Sequence, residues 1–132
     1  MGTAVTVDFA QAGLQAHLQS LTDDQLDELS FGVIGFDPAG LVQAYNRYES
    51  HAAGLSTARV QGQSLFAVVA PCMNNFMVAQ RFEDAAAAAQ PLDEIVDYVL
   101  TLRMRPVKVR LRLLAAPGAP LRYVLVERKS SP

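Results

Sequence analysis

The stretch VKVRLRLL, Val107 to Leu114, reads as a β-strand by alternation. Val107, Val109, Leu111 and Leu113 fall on one side and Lys108, Arg110 and Arg112 on the other, the pattern of a strand with one side on a core. It lies between IVDYVLTLRM, Ile95 to Met104, and LRYVLVER, Leu121 to Arg128, and the turn segment AAPGAP, residues 115 to 120, joins the last two. Upstream, LSFGVIGF and LVQAY flank the turn signal DPAG, which predicts a hairpin with strands over residues 30 to 36 and 41 to 46. Between hairpin and meander, residues 47 to 67 carry glycines at 54 and 62 and no sustained period. Short helical turns and loops are expected there, of the kind that line ligand sites. NNFMVAQRFEDAAAAA then predicts one helix over about residues 75 to 88, with Phe76, Ala79, Phe82 and Ala86 on its apolar stripe. Two strands, a helical insert and three more strands bury one sheet face most economically as an α+β fold: a five-stranded antiparallel sheet with helices packed over it.

At the N-terminus, Phe9, Leu14, Leu18 and Leu21 follow a broken helical spacing. Thr22 and Gln25 form a T-x-x-Q capping box before Leu26 and Leu29, so a helical cap is expected over residues 1 to 28. With 132 residues, 51% apolar and 18% charged, the chain suits one globular unit. A net charge of -2 without a basic block excludes the electrostatic footprint of a nucleic-acid binder. No apolar run approaches the roughly 18 residues of a membrane span, and the first residues lack the make-up of a secretory signal. A cytoplasmic location is expected, and the single cysteine fits a reducing compartment.

That cysteine, Cys72, follows Pro71 at the end of the apolar run LFAVVA. Taken alone it reads first as a structural thiol in the core. A cysteine hydrolase would need a histidine base. The two histidines, His17 in the cap and His51 in the loop region, stand in no such signature, and one cysteine with two scattered histidines lacks metal-ligand spacing. In QAYNRYES, Tyr45 closes a strand and Glu49 follows four residues later. A helical turn there would aim both side chains into one volume, although the same spacing is common on solvated surfaces.

Taken together, SFGVIGFD, LVQAYNRYES, the G-x-S-L-F-A-V-V-A-P-C run and RMRPVKVRLR, in this order, resemble the photoactive yellow protein family of light sensors in the PAS-domain superfamily. The resemblance spans residues 21 to 128, with about one inserted residue near Ala89 to Leu92. It implies a PAS fold, with the cap over residues 1 to 28 and a chromophore-binding core over 29 to 128; the terminal residues 129 to 132 read from their sequence and position as a disordered tail. It further implies 4-hydroxycinnamic acid bound as a thioester to Cys72, with Tyr45 and Glu49 donating hydrogen bonds to its phenolate and Met104 assisting return to the dark state. Ile34, Asn46, Ala53, Leu55, Phe66, Val69, Ala70, Pro71, Leu100 and Arg103 would line or brace the pocket. To donate, Glu49 has to be protonated, so burial against an anion is expected to raise its pKa.

Two positions depart from the family pattern: Ala53 stands where relatives have a threonine hydroxyl and Leu55 where they have an arginine. Arg103 or Arg105 could cover the ligand in place of that arginine, and His51 reads as a solvated loop residue. With no output domain in the sequence, a downstream signalling protein is expected to be reached by non-covalent contact, from a monomer or weak dimer, with no nucleic-acid or membrane partner. The alternative is a PAS-type ligand-binding or dimerisation module without a covalent chromophore.

Overall fold

The structure, a computed structural model, describes residues 7–101 and 106–128. Its centre is one antiparallel sheet of five strands: β1 (Gly32–Phe36), β2 (Val42–Tyr45), β3 (Leu92–Leu100), β4 (Val107–Ala115) and β5 (Arg122–Arg128). They lie side by side in the order β2-β1-β5-β4-β3, the α+β layout read from the sequence. The last three strands form the meander and the first two the hairpin. Asp37 closes the hairpin turn by accepting from the Ala39 and Leu41 amides through Oδ1, both at 3.0 Å.

Period-two alternation sends side chains to two cores. On the inner face, Ile34, Phe36, Tyr45, Leu111, Leu113, Val124 and Val126 pack with Leu65, Met73, Val78 and Phe82 from the helical insert. On the outer face, Val33, Leu114, Tyr123 and Leu125 pack with Phe9, Leu14, Leu18, Leu26 and Leu29. The outer layer comprises helices α1 (Leu14–Gln19) and α2 (Asp23–Asp27). The capping box at the start of α2 forms as predicted: Thr22 Oγ1 accepts from Gln25 N, and Gln25 Oε1 from Thr22 N.

This second layer corrects the one-sided reading of VKVRLRLL. Arg112, predicted to face solvent, is 4% exposed, because the N-terminal segment lies across it and supplies backbone carbonyls to its guanidinium. Val107, predicted to face the core, is exposed at the strand's start.

The insert contains α3 (Arg47–Ala53), α4 (Thr57–Val60), a π-helical turn (Leu65–Val69), a 3-10 turn (Pro71–Met73) and α5 (Ala79–Ala87). The last helix is shorter than predicted, and Phe76 is not on its apolar stripe: the ring is 78% exposed. Asn75 is the cause. Its Oδ1 accepts from the amides of Met77 (2.9 Å) and Val78 (3.3 Å), holding these residues in a turn that delays the helix.

Candidate functional site

Helix α3 begins where β2 ends, and Asn46 makes the joint. Its side chain is buried and uses four hydrogen bonds. Oδ1 accepts from Val33 N (3.0 Å) and from Glu49 N (3.2 Å), capping the helix, while Nδ2 donates to the carbonyls of Leu26 (2.9 Å) and Phe31 (3.0 Å). One residue therefore fixes α3, β1 and the end of α2 together.

The capped turn carries Tyr45 and Glu49 into the same region of the inner face, where they are 4% and 0% exposed. Gly32 on β1 makes room for the acid: a Cβ on Gly32 would lie 2.1 Å from Glu49 Oε1. Arg128, at the end of β5, completes the group. Its Nη1 donates to Glu49 Oε1 at 2.7 Å and its Nη2 to Oε2 at 3.1 Å, a two-point pairing. The guanidinium also lies 5.9 Å from the centroid of the Tyr48 ring.

Burial pushes the Glu49 carboxyl above its ordinary pKa, while the paired guanidinium pulls against that rise. The upward direction matches the sequence reading, but the contact is a cation and not the anion expected there. Burial likewise raises the Tyr45 phenol, with the Glu49 charge adding to the rise and Arg128 opposing it.

The thiol is built differently. The π-helical turn ends at Val69, and Pro71 opens the 3-10 turn that presents Cys72, half-buried and free, against the inner core cluster. The Cys72 carbonyl accepts from the Tyr98 hydroxyl on β3 and from Asn75 Nδ2 (3.1 Å), which fixes the backbone at the thiol from two sides. Asn75 Nδ2 also donates to the Tyr98 oxygen. Beside this turn runs a groove of about 640 Å³, lined by Asn75, Met77, Tyr98, Lys108 and Val109 among others.

The other candidates divide as follows. Ile34, Val69, Ala70 and Leu100 are buried in the inner cluster, and Leu55 and Phe66 pack on it half-buried. Ala53 is buried, and Pro71 is exposed on its turn. Ala53 offers no hydroxyl, and the nearby Thr57 Oγ1 donates to the Tyr45 carbonyl and not to its phenol (3.0 Å). His51 is exposed on α3, as a solvated residue should be. Arg103, Met104 and Arg105 lie outside the described residues.

Sequence reasoning missed Arg128, Tyr98 and Asn75. A signal for Arg128 was available: alternation from Val124 and Val126 places it on the core face, where a cation needs a partner.

The donor set of a thiol and a buried phenol on the inner core cluster, with a buried carboxyl four residues from that phenol, fits an acyl group with an ionisable far end. Among the described residues no cluster of three metal-ligating side chains occurs, and no helix is long and apolar enough to cross a membrane.

No protein-family model matches the chain. It is 30% identical over 122 residues to a photoactive yellow protein from Rhodothalassium salexigens, covering 92% of this chain and 97% of that protein. Among solved structures it is similar to the photoactive yellow protein domain of the sensor histidine kinase Ppr from Rhodospirillum centenum. The TM-score there is 0.76 and the identity 35%, over 87% of this chain and 99% of that one. The PAS domain of Bordetella pertussis BvgS shares the fold, with a TM-score of 0.58 at 16% identity over 90% of this chain and 89% of that one. The chain belongs to the photoactive yellow protein family, and is a PAS-fold photoreceptor and not an enzyme.

Proposed function

We propose that this photoreceptor absorbs blue light through 4-hydroxycinnamic acid held as a thioester on Cys72, with Tyr45 and Glu49 binding the phenolate. The observation that carries this reading is the burial of a phenol, Tyr45, in the core cluster on which the thiol packs, with a buried carboxyl, Glu49, beginning the adjoining helix. The Cys72 sulfur displaces the leaving group of an activated acyl ester, forming one S–C bond while the leaving group departs with the thiol proton. Tyr98 and Asn75 hold the Cys72 backbone, and therefore the direction in which the acyl chain leaves the sulfur. When bound, the group supplies visible absorption and a double bond that light turns from trans to cis.

The remaining steps belong to the chain. Glu49 holds a proton in the dark, favoured by its burial, and gives it up in the lit state. A newly formed buried carboxylate costs several kcal/mol when poorly compensated, about the scale of a domain's whole stability, and local opening relieves it. We assign that opening to the N-terminal layer and its reading to a downstream signalling protein. Met104 is assigned to dark recovery by resemblance to the family, and Arg103 or Arg105, which flank it, to covering the pocket in place of the family arginine absent at Leu55. The single free thiol supports placing the protein in the cytoplasm.

The test is an absorption spectrum after reaction with an activated 4-hydroxycinnamoyl ester, in darkness and under blue light, with Cys72→Ala as control. A visible band that bleaches reversibly and is missing in the control is expected, with slowed recovery in Met104→Ala. Folded protein with a reactive thiol and no band would replace this reading with a PAS module lacking a covalent chromophore.

A further inference from the structure

We propose that Arg128 is a positioning residue of the light-sensing site: it is the counter-ion that receives Glu49 whenever Glu49 is a carboxylate, and so sets how readily that acid gives up its proton. The proposal rests on the functional reading above and adds to it a residue outside the thiol, phenol and acid.

Its basis is geometric. Arg128 meets both carboxylate oxygens of a fully buried acid, at 2.7 and 3.1 Å, and is itself only 15% exposed. Such a fork-to-fork contact satisfies an ionised carboxylate, whereas a protonated one carries a hydrogen on an oxygen that the guanidinium would have to face. Glu49 therefore has one arrangement with Arg128 when charged and another when neutral.

Gly32 leaves the space in which the acid lies against β1. The charged and titratable groups facing this corner come from three elements: Tyr45 on β2, Tyr48 on α3 and Arg128 on β5. Arg128 is the cation among them. If Glu49 loses its proton in the lit state, Arg128 offsets part of the cost of the buried carboxylate, so the lit state is held by a specific contact and only the uncompensated remainder drives opening of the fold. The same contact opposes reprotonation, and dark recovery is slower for it.

The experiment has two arms. In the first, the carboxyl stretch of Glu49, assigned by its loss in Glu49→Gln, is titrated by infrared difference spectroscopy before reaction with the acyl ester, in the parent protein, Arg128→Lys and Arg128→Gln. Removing the cation disfavours the carboxylate. The midpoint should therefore rise by at least about one pH unit in Arg128→Gln, tenfold in proton affinity, and by less in Arg128→Lys, whose single-point ammonium keeps part of the effect. Arg128→Lys also serves where Arg128→Gln fails to fold. Equal midpoints in the folded variants overturn the proposal.

In the second arm, the same variants are loaded with 4-hydroxycinnamoyl thioester and their dark recovery is followed. Recovery about tenfold faster in Arg128→Gln, moved back toward the parent rate by Arg128→Lys, supports the proposal. A raised midpoint with unchanged recovery overturns the photocycle role. Absence of a visible band in the parent protein overturns the functional reading, and this proposal with it, whereas equal midpoints overturn the proposal alone.

Discussion

Two arginine–carboxylate pairs sit on opposite faces of one sheet, and they are buried in opposite senses. On the outer face Arg112 holds Asp93 through Nε to Oδ1 and Nη2 to Oδ2, both at 2.8 Å, and the arginine is the hidden partner: 4% exposed against 52% for the acid. On the inner face the acid is hidden, Glu49 at 0% against 15% for Arg128. A guanidinium keeps its charge throughout the physiological range, so burying it demands permanent partners. Arg112 has them, because its Nη1 donates to the carbonyls of Phe9 (2.9 Å) and Gln11 (2.6 Å). A buried carboxyl can shed its charge by taking a proton, so the inner pair is able to change state while the outer one is not. One pair fastens a layer, and the other can report a proton.

The largest effect that could break this contrast is on the outer face. Arg112→Ala leaves the Phe9 and Gln11 carbonyls without their donor and removes the contact that ties the N-terminal segment to β4. We expect a loss of ~3 kcal/mol in urea denaturation and faster amide exchange over residues 8 to 28. In chromophore-loaded protein, illumination should raise exchange over the same residues, and Arg112→Ala should already show much of that rise in the dark. Exchange that is equal in light and dark, and unmoved by Arg112→Ala, would show that the outer pair does not fasten the cap and that the cap is not what light loosens.

The inner pair is tested by pH. The folded-state pKa of Glu49 lies above its ordinary value of 4.5, so between the two values the folded chain binds more protons than the unfolded one. The stability that this provides is present in full below the unfolded value and is lost as pH rises through the folded value. Each unit of separation is worth about 1.4 kcal/mol. Relative to Glu49→Gln, which cannot titrate, the parent protein should lose stability as pH rises from the ordinary carboxyl value of 4.5 through the raised folded value. Measured by urea denaturation, a parent-minus-variant difference that stays flat, or rises with pH, would remove the distinction between the two pairs.

These contrasts show what the sequence can and cannot disclose. Strand alternation and the Thr22 capping box are local: period two and a three-residue reach suffice to read them, and the sheet follows, whereas sequence reasoning missed the Asn46 cap, which is equally local. Arg112 misleads because the carbonyls that receive it lie 101 and 103 residues away, and no local pattern announces that a polar strand face will be covered. Alternation places Arg128 on the core face, but its partner Glu49 lies 79 residues away and the Y-N-x-x-E segment contains nothing that requires a cation, so the pair is not legible even where the burial is. Phe76 fails for the reverse reason. A side-chain turn at Asn75 outcompetes the helix propensity of the alanine run that follows, and the residues needed to see this were adjacent.

The smallest effect is the most useful control. Arg110 lies two residues from Arg112 on the same strand face, pairs with Glu127, and places its guanidinium 5.3 Å from the centroid of the Phe9 ring, so it too touches the N-terminal segment. Both partners are more than a third exposed, water already solvates each charge, and salt screens their attraction. Arg110→Gln should therefore cost less than ~1 kcal/mol, shrink further in high salt, and leave amide exchange over residues 8 to 28 near the parent rate. If it loosened the cap as Arg112→Ala does, charge on the outer face would matter more than burial. The contrast between a fastening pair and a switching pair would then have to be redrawn as one between two faces, because burial and the two carbonyl contacts that come with it are what separate Arg112 from its neighbour Arg110.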